Sequence, residues 1–238
     1  FFNINIFYIK FFLWGLFFFN LFFLIKNKFY IYFINFHFAI FFLIFISISF
    51  NLAVNLKLGW DAQNYWIIKA LNFIDGNTVQ ELKNSPRPDY PYLGSYLWSV
   101  FSQVSFLKYE YFGRIFYIYC FTLSIYTLTS FLKLEQIYKS IIFLFLILIL
   151  NNNLFNGYQE VLVFSYAIYL SCFIFEFQKR LENKKITLLI LANFFIIFWL
   201  KNEALIFSIL YFFSIIFVIY KNNNIKYFVC LFIILIVL

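Results

Sequence analysis

A handful of residues in this chain have types and spacing that could do chemistry. Asp61 follows Gly59-Trp60, and on a helix starting there Asn64, Tyr65 and Lys69 fall on one face at three- and four-residue spacing. A carboxylate with an aromatic and a cation beside it suits general-base work on a bound hydroxyl. Aspartate is also a favoured N-cap, so Asp61 could simply cap a helix over 62–75. Glu110 and Arg114 stand one helical turn apart, either as a plain pair worth roughly 0.2–0.5 kcal/mol or as charges presented to a ligand. Lys201 and Glu203 interrupt a deeply apolar stretch, where a charge near the bilayer centre costs about 3 kcal/mol on insertion scales. Asn or Gly would turn the chain there without charge, so this pair points to function. Glu160, heading the run 158–178, is of the same kind.

The elements that must position these residues are hydrophobic. Of 238 residues, 65% are hydrophobic, 27% aromatic and 12% charged. That is more apolar surface than a water-soluble domain of this size can bury, so an all-α polytopic membrane protein is expected. The excess of Phe, Ile, Asn, Lys and Tyr matches the bias of an AT-rich genome, so single phenylalanines carry little information. The net charge of +8 is scattered between apolar runs and forms no patch, which argues against a nucleic-acid partner. Cys120, Cys172 and Cys230 each lie inside an apolar run, without metal or disulfide spacing, and read as buried thiols. No metal or other cofactor is indicated. The chain has no Met and stops inside an apolar run at Val237-Leu238, so a fragment truncated on the C-terminal side is expected.

About 20 apolar residues cross the hydrocarbon, and residues 4–25 and 29–51 both qualify, separated by Lys26-Asn27-Lys28. The first (domain 1–28) reads as an extra N-terminal helix, with the main transmembrane domain over 29–238. His37 reads as a packed, hydrogen-bonded residue of the second run. Further runs cover 112–132, 140–154, 158–178 and 186–220, the last split in two by Lys201-Asn202-Glu203. Placing the turns at 26–28, 133–139, 179–185 and 221–226 on one side collects ten basic residues there against Glu135, Glu176 and Glu182. That side is then cytoplasmic. The loop 52–111, Glu160 and the Lys201–Glu203 turn share the outer face.

The loop has its own order. Leu93, Leu97, Val100, Phe101, Val104 and Leu107 repeat at helical spacing opposite Ser95, Ser99 and Ser102, which predicts an amphipathic interfacial helix over 93–107. A second helix over 62–75 ends at Asp75-Gly76-Asn77. Between them Ser85-Pro86-Arg87-Pro88-Asp89-Tyr90-Pro91 must be extended or turning.

These features, taken together and in order, resemble the GT-C membrane glycosyltransferases, the superfamily of the protein O-mannosyltransferases and the lipid A aminoarabinose transferases. Trp60-Asp61-Ala62-Gln63-Asn64-Tyr65, with Ala70 and Gly76, is similar to their first outer-loop motif. Pro88-Asp89-Tyr90-Pro91-Tyr92-Leu93 resembles the entry to their second interfacial helix. Glu110 and Arg114 resemble the acidic-then-Arg step opening the next membrane helix, and Gly157-Tyr158-Gln159-Glu160 and Leu200-Lys201-Asn202-Glu203-Ala204-Leu205 are similar to later outer-face motifs. The likeness runs from about residue 29 to 220. It departs at Ala62, where the family has a second acid, and in the extra helix over 4–25.

The resemblance implies a plasma-membrane enzyme that takes a sugar from a polyprenyl-phosphate lipid and passes it to a glycan, lipid or protein on the extracytoplasmic face. Asp61 would be the base, the reaction would invert the anomeric carbon, and Arg114, Lys201 or Arg87 would hold the phosphate. Tyr65 would stack on sugar or prenyl groups, and Asp89, Glu110, Glu160 and Glu203 would complete the substrate site. The absent second acid takes away the pairing that would argue for a metal there. The competing classes are a transporter or lipid flippase, which would place polar groups at mid-membrane and in paired repeats, and a non-catalytic membrane subunit.

Overall fold

A computed structural model of the chain describes residues 6–28, 35–104, 109–150, 156–179 and 184–221, and among these the regular elements are helices alone. The expectations for Asn151-Asn152-Asn153, Arg180–Asn183, the turn beyond Lys221, Cys230 and residues 105–107 of the second loop helix lie outside the described residues.

Helix α1 covers Ile6–Lys26 and α2 covers Phe36–Val54. The start of α2 is set by Asn35, whose side-chain oxygen accepts from the Phe38 amide at 2.8 Å, an N-cap bond. The loop then carries a helical segment with a π-turn at Ala62–Trp66 leading into α3, Ile67–Ile74, a 3₁₀ turn at Glu81–Asn84, and α4, Leu93–Val104. The rest is α5 (Tyr111–Ser130), α6 (Gln136–Leu150), α7 (Glu160–Lys179), α8 (Lys184–Leu200) and α9 (Ala204–Lys221). The chain thus breaks between α8 and α9 at Lys201-Asn202-Glu203, as the charges predict.

Among the described residues three helices are long and apolar enough to cross a membrane: Tyr8–Lys26, Phe36–Val54 and Glu160–Lys179. Helix α5 is the hub, packed by α2, α4, α6 and α7, and α7 in turn carries α8 and α9. One core cluster joins these helices, with Leu52, Trp98, Ile118, Phe143, Leu162 and Ile197 wholly buried. Helix α1 stays exposed along its length and touches the rest through Ile9 and Leu13, which pack on Phe73, Leu82, Tyr96 and Val100 of the loop. Its N-terminal half therefore lies at the loop end of the bundle.

The two ends of the bundle differ. At one, His37 of α2 contacts Thr129 Oγ1 at 3.0 Å and Ser140 Oγ at 3.2 Å, joining α2, α5 and α6, and it stacks on Tyr126. His37 is thus the packed, hydrogen-bonded residue expected. Cys120 and Cys172 are buried free thiols. The other end carries the loop, and every candidate residue lies there.

The serine stripe of α4 corrects an expectation. Ser95, Ser99 and Ser102 do not face an aqueous surface; all three are buried. Their hydroxyls donate to the carbonyls of Trp66 (3.1 Å), Tyr96 (2.7 Å) and Trp98 (2.9 Å). Small residues let helices approach closely, and a side chain on Gly113 of α5 would come within 2.2 Å of the Trp98 ring and 2.8 Å of Ser102 Oγ. The stripe is a packing face.

Candidate functional site

The site is assembled from four short segments at the loop end, braced by the head of α5. The first is the chain entering α3. Trp60 and Asp61 are already helical, and the next turn is widened, with the Ile67 amide reaching back to the Ala62 carbonyl. Such single π-turns recur at functional sites. Asp61 has helical backbone angles and makes no capping hydrogen bond, so the capping alternative is overturned. Its carboxylate is half-buried and has no hydrogen-bond partner among the described residues.

The second segment is the turn before α7. Gly157 adopts φ +74°, a left-handed conformation that favours glycine, and a side chain there would lie 2.8 Å from the Trp98 ring. The tight fit lets the Asn156 carbonyl accept from the Gly59 amide at 2.8 Å, which fixes the Asp61 segment against the head of α7. Gln159 is wholly buried. With its amide oriented by its neighbours, the nitrogen donates to the Leu200 carbonyl at 2.9 Å and the oxygen faces the Ser95 amide and hydroxyl at 3.2 Å. One side chain thereby ties α4, α7 and the end of α8.

That tie sets up the third group. Lys201 Nζ donates to Glu160 Oε1 at 2.5 Å and lies 3.8 Å from Glu203 Oε2. Burial pushes the Lys201 ammonium down, but the Glu160 hydrogen bond and the charges of Glu160, Glu203 and Asp61 outweigh it, so its pKa is raised. Three predicted residues, Glu160, Lys201 and Glu203, thus form one ion-pair group, and the Asp61 charge acts on the same lysine.

Arg114 is fully buried on α5. Its Nη2 and Nε donate to Glu110 at 2.6 and 3.2 Å, and Nη1 donates to the Lys57 carbonyl at 3.0 Å. The i,i+4 pair that the spacing allows is present, its contact is bidentate, and Arg114 also braces the backbone just before Gly59. The Glu110 carbonyl accepts from Trp98 Nε1 at 3.0 Å and Ser102 Oγ at 3.1 Å.

The fourth segment is the proline-rich turn. Arg87 is exposed, sits at φ +52° and lies over the Tyr90 ring, 5.8 Å from its centroid. Asp89 is exposed beside it. The turn is held by Lys69, which sequence reasoning grouped with Asp61. Lys69 is instead buried among Trp66, Tyr90 and Tyr92, and Nζ donates to the Arg87 carbonyl at 2.6 Å and the Tyr90 carbonyl at 3.3 Å. Burial lowers its pKa to about 8, with the Asp89 charge acting the other way. Tyr65 links the two loci, meeting Trp60 edge-on at 5.6 Å and Tyr90 at 6.3 Å.

Sequence reasoning gave Gln159 no role of its own and set Lys69 beside Asp61, not under the proline-rich turn. Their signal was a polar side chain in apolar company, which marks burial with partners but not the partners themselves. Among the described residues, no group of three or more His, Cys, Asp or Glu is placed to hold a metal ion. No protein-family model, curated protein or solved structure matches this chain.

Proposed function

We propose that this chain is an integral membrane glycosyltransferase of the GT-C kind, with Asp61 as general base for an acceptor hydroxyl. The observation that carries the reading is the Asp61 carboxylate. It is half-buried in a widened helical turn, free of hydrogen bonds, and charge-coupled to Lys201 at the polar end of an apolar bundle. A base must keep a lone pair open for the proton it takes.

In the proposed step Asp61 takes the acceptor proton and the acceptor oxygen bonds to the anomeric carbon. The bond from that carbon to the phosphate oxygen breaks, and polyprenyl phosphate leaves with the electron pair, inverting the sugar. Phosphate leaves without a general acid. Arg114 is committed to Glu110 and Lys57, and Lys201 is surrounded by carboxylates. The exposed Arg87 guanidinium is therefore the better candidate for the phosphate, and Trp60 and Tyr65 offer rings for the sugar. On this reading the loop end faces the extracytoplasmic side of the plasma membrane.

A transporter or flippase is the second class. The ion pairs of the candidate residues lie at the loop end, not mid-bundle, which favours the transferase. Membranes containing the full chain, incubated with a radiolabelled polyprenyl-phosphate sugar, should release labelled acceptor. Transbilayer movement of the labelled lipid with no transfer would favour the flippase.

A further inference from the structure

A cavity of about 270 Å³ lies between α7 and α9, and its two ends differ in chemistry. Val163, Phe164, Ala167, Ala204 and Phe207 make its apolar walls, while Glu160, Lys201 and Glu203 stand at its mouth. From Glu160 to Ala167 the wall runs about 10 Å at 1.5 Å per helical residue. Below it Tyr211 donates to the Ala167 carbonyl at 2.9 Å and meets Ser171 Oγ at 2.8 Å, bonds that close α7 onto α9 beneath the cavity. Phe164 and Phe207 are 40% and 46% exposed, so one flank is open along the apolar surface of the bundle.

The charges at the mouth decide what head group fits. Lys201 is turned inward, its side chain 14% exposed, whereas Glu160 and Glu203 are 53% and 60% exposed. At the mouth itself two carboxylates, Glu160 and Glu203, face one ammonium and leave a net formal charge of −1. An arriving head group therefore meets carboxylate oxygens. Phosphate would be repelled and a cation would be matched. A second cavity of about 310 Å³ between α8 and α9 is lined by Phe194, Phe198, Phe212 and other apolar residues with Ser208, and carries no such mouth.

We propose that the groove between α7 and α9 binds a membrane amphiphile with an ammonium head group, its chain seated among Val163, Phe164, Ala167 and Phe207 and its head at Glu160 and Glu203. This goes beyond the transferase reading and does not depend on it, because such binding needs no sugar transfer.

The test uses the full chain in phosphatidylcholine nanodiscs and three diazirine-bearing probes of equal chain length: hexadecylamine, hexadecyl phosphate and hexadecyl glucoside. The amine should label peptides from Val163–Ala167 and Ala204–Phe207 at least tenfold more than the phosphate does. Glu160→Gln with Glu203→Gln should bring the amine down to the level of the glucoside. Ala167→Phe, which fills the groove without touching the charges, should lower labelling by both the amine and the glucoside. Equal or greater labelling by the phosphate would overturn the proposal. So would amine labelling spread evenly over the exposed faces of α1, α2 and α9, or labelling unchanged in the Gln double variant when near-native abundance shows it to be folded.

Discussion

Lys201 Nζ donates to Glu160 Oε1 at 2.5 Å, joining the α8–α9 turn to the first residue of a helix 41 positions earlier. The pair explains why a turn that Asn or Gly could make carries charge. Because Glu160 is largely exposed, the bond is worth about 1 kcal/mol at most. A double-mutant cycle with Lys201→Met and Glu160→Gln, read by thermal unfolding in detergent, should give a coupling of that size. Strict additivity would show the contact to be energetically idle.

Gln159 should matter more than its charged neighbour. Gln159→Ala leaves the Leu200 carbonyl and the Ser95 amide without their buried partner, a loss of roughly 2 kcal/mol. Gly94→Ala drives a methyl to within 2.4 Å of the Gln159 amide and should cost roughly 1–3 kcal/mol on its own. In the double variant the new methyl gains the space the amide leaves, so the two losses should add to clearly less than their sum. Full additivity in detergent unfolding would mean that the two residues do not meet.

Lys69 predicts a pH dependence. Its folded pKa, about 8, lies below the ordinary 10.5, so between these values the unfolded chain holds a proton that the folded chain has lost. Stability should therefore rise with pH from about 8 to 10.5, by up to about 1.4 kcal/mol per unit for this one group. Lys69→Met keeps the stem among Trp66, Tyr90 and Tyr92 and removes the titration. The difference between the two unfolding-versus-pH curves isolates Lys69, and parallel curves would contradict its lowered pKa.

Arg114 is a brace whose removal is felt from either side. Glu110→Ala leaves a buried guanidinium short of its carboxylate and should destabilise by roughly 3 kcal/mol. Arg114→Lys cannot form the bidentate bond or reach Glu110 and the Lys57 carbonyl in the same geometry, and should recover only part of the loss seen in Arg114→Ala. Full recovery by Lys would show that charge alone suffices.

Much of the fold was legible in the sequence, because long apolar runs broken by short polar turns read as helices, and helices are the regular elements of the described residues. The Glu110–Arg114 pair followed from local spacing, and the break at Lys201–Glu203 and the packed His37 from polar residues standing in apolar runs. The π-turn at Ala62–Trp66 did not, since the Ala-Gln-Asn-Tyr-Trp segment has no signal that separates it from an ordinary turn. Nor did the burial of Ser95, Ser99 and Ser102, because a stripe of serines reads as wet until a neighbouring helix covers it. The contacts of Gln159 with Ser95 and Leu200, and of Lys201 with Glu160, join distant positions and are set by which helices pack, which spacing along the chain does not encode.

The central claim is that the unbonded Asp61 carboxylate is the base. Because it makes no hydrogen bond, Asp61→Asn should leave unfolding within about 0.5 kcal/mol of the parent. The same change should cut transfer from radiolabelled polyprenyl-phosphate sugar by at least about 100-fold, the lower bound for losing a general base. Transfer that survives in Asp61→Asn at equal protein abundance would contradict the account.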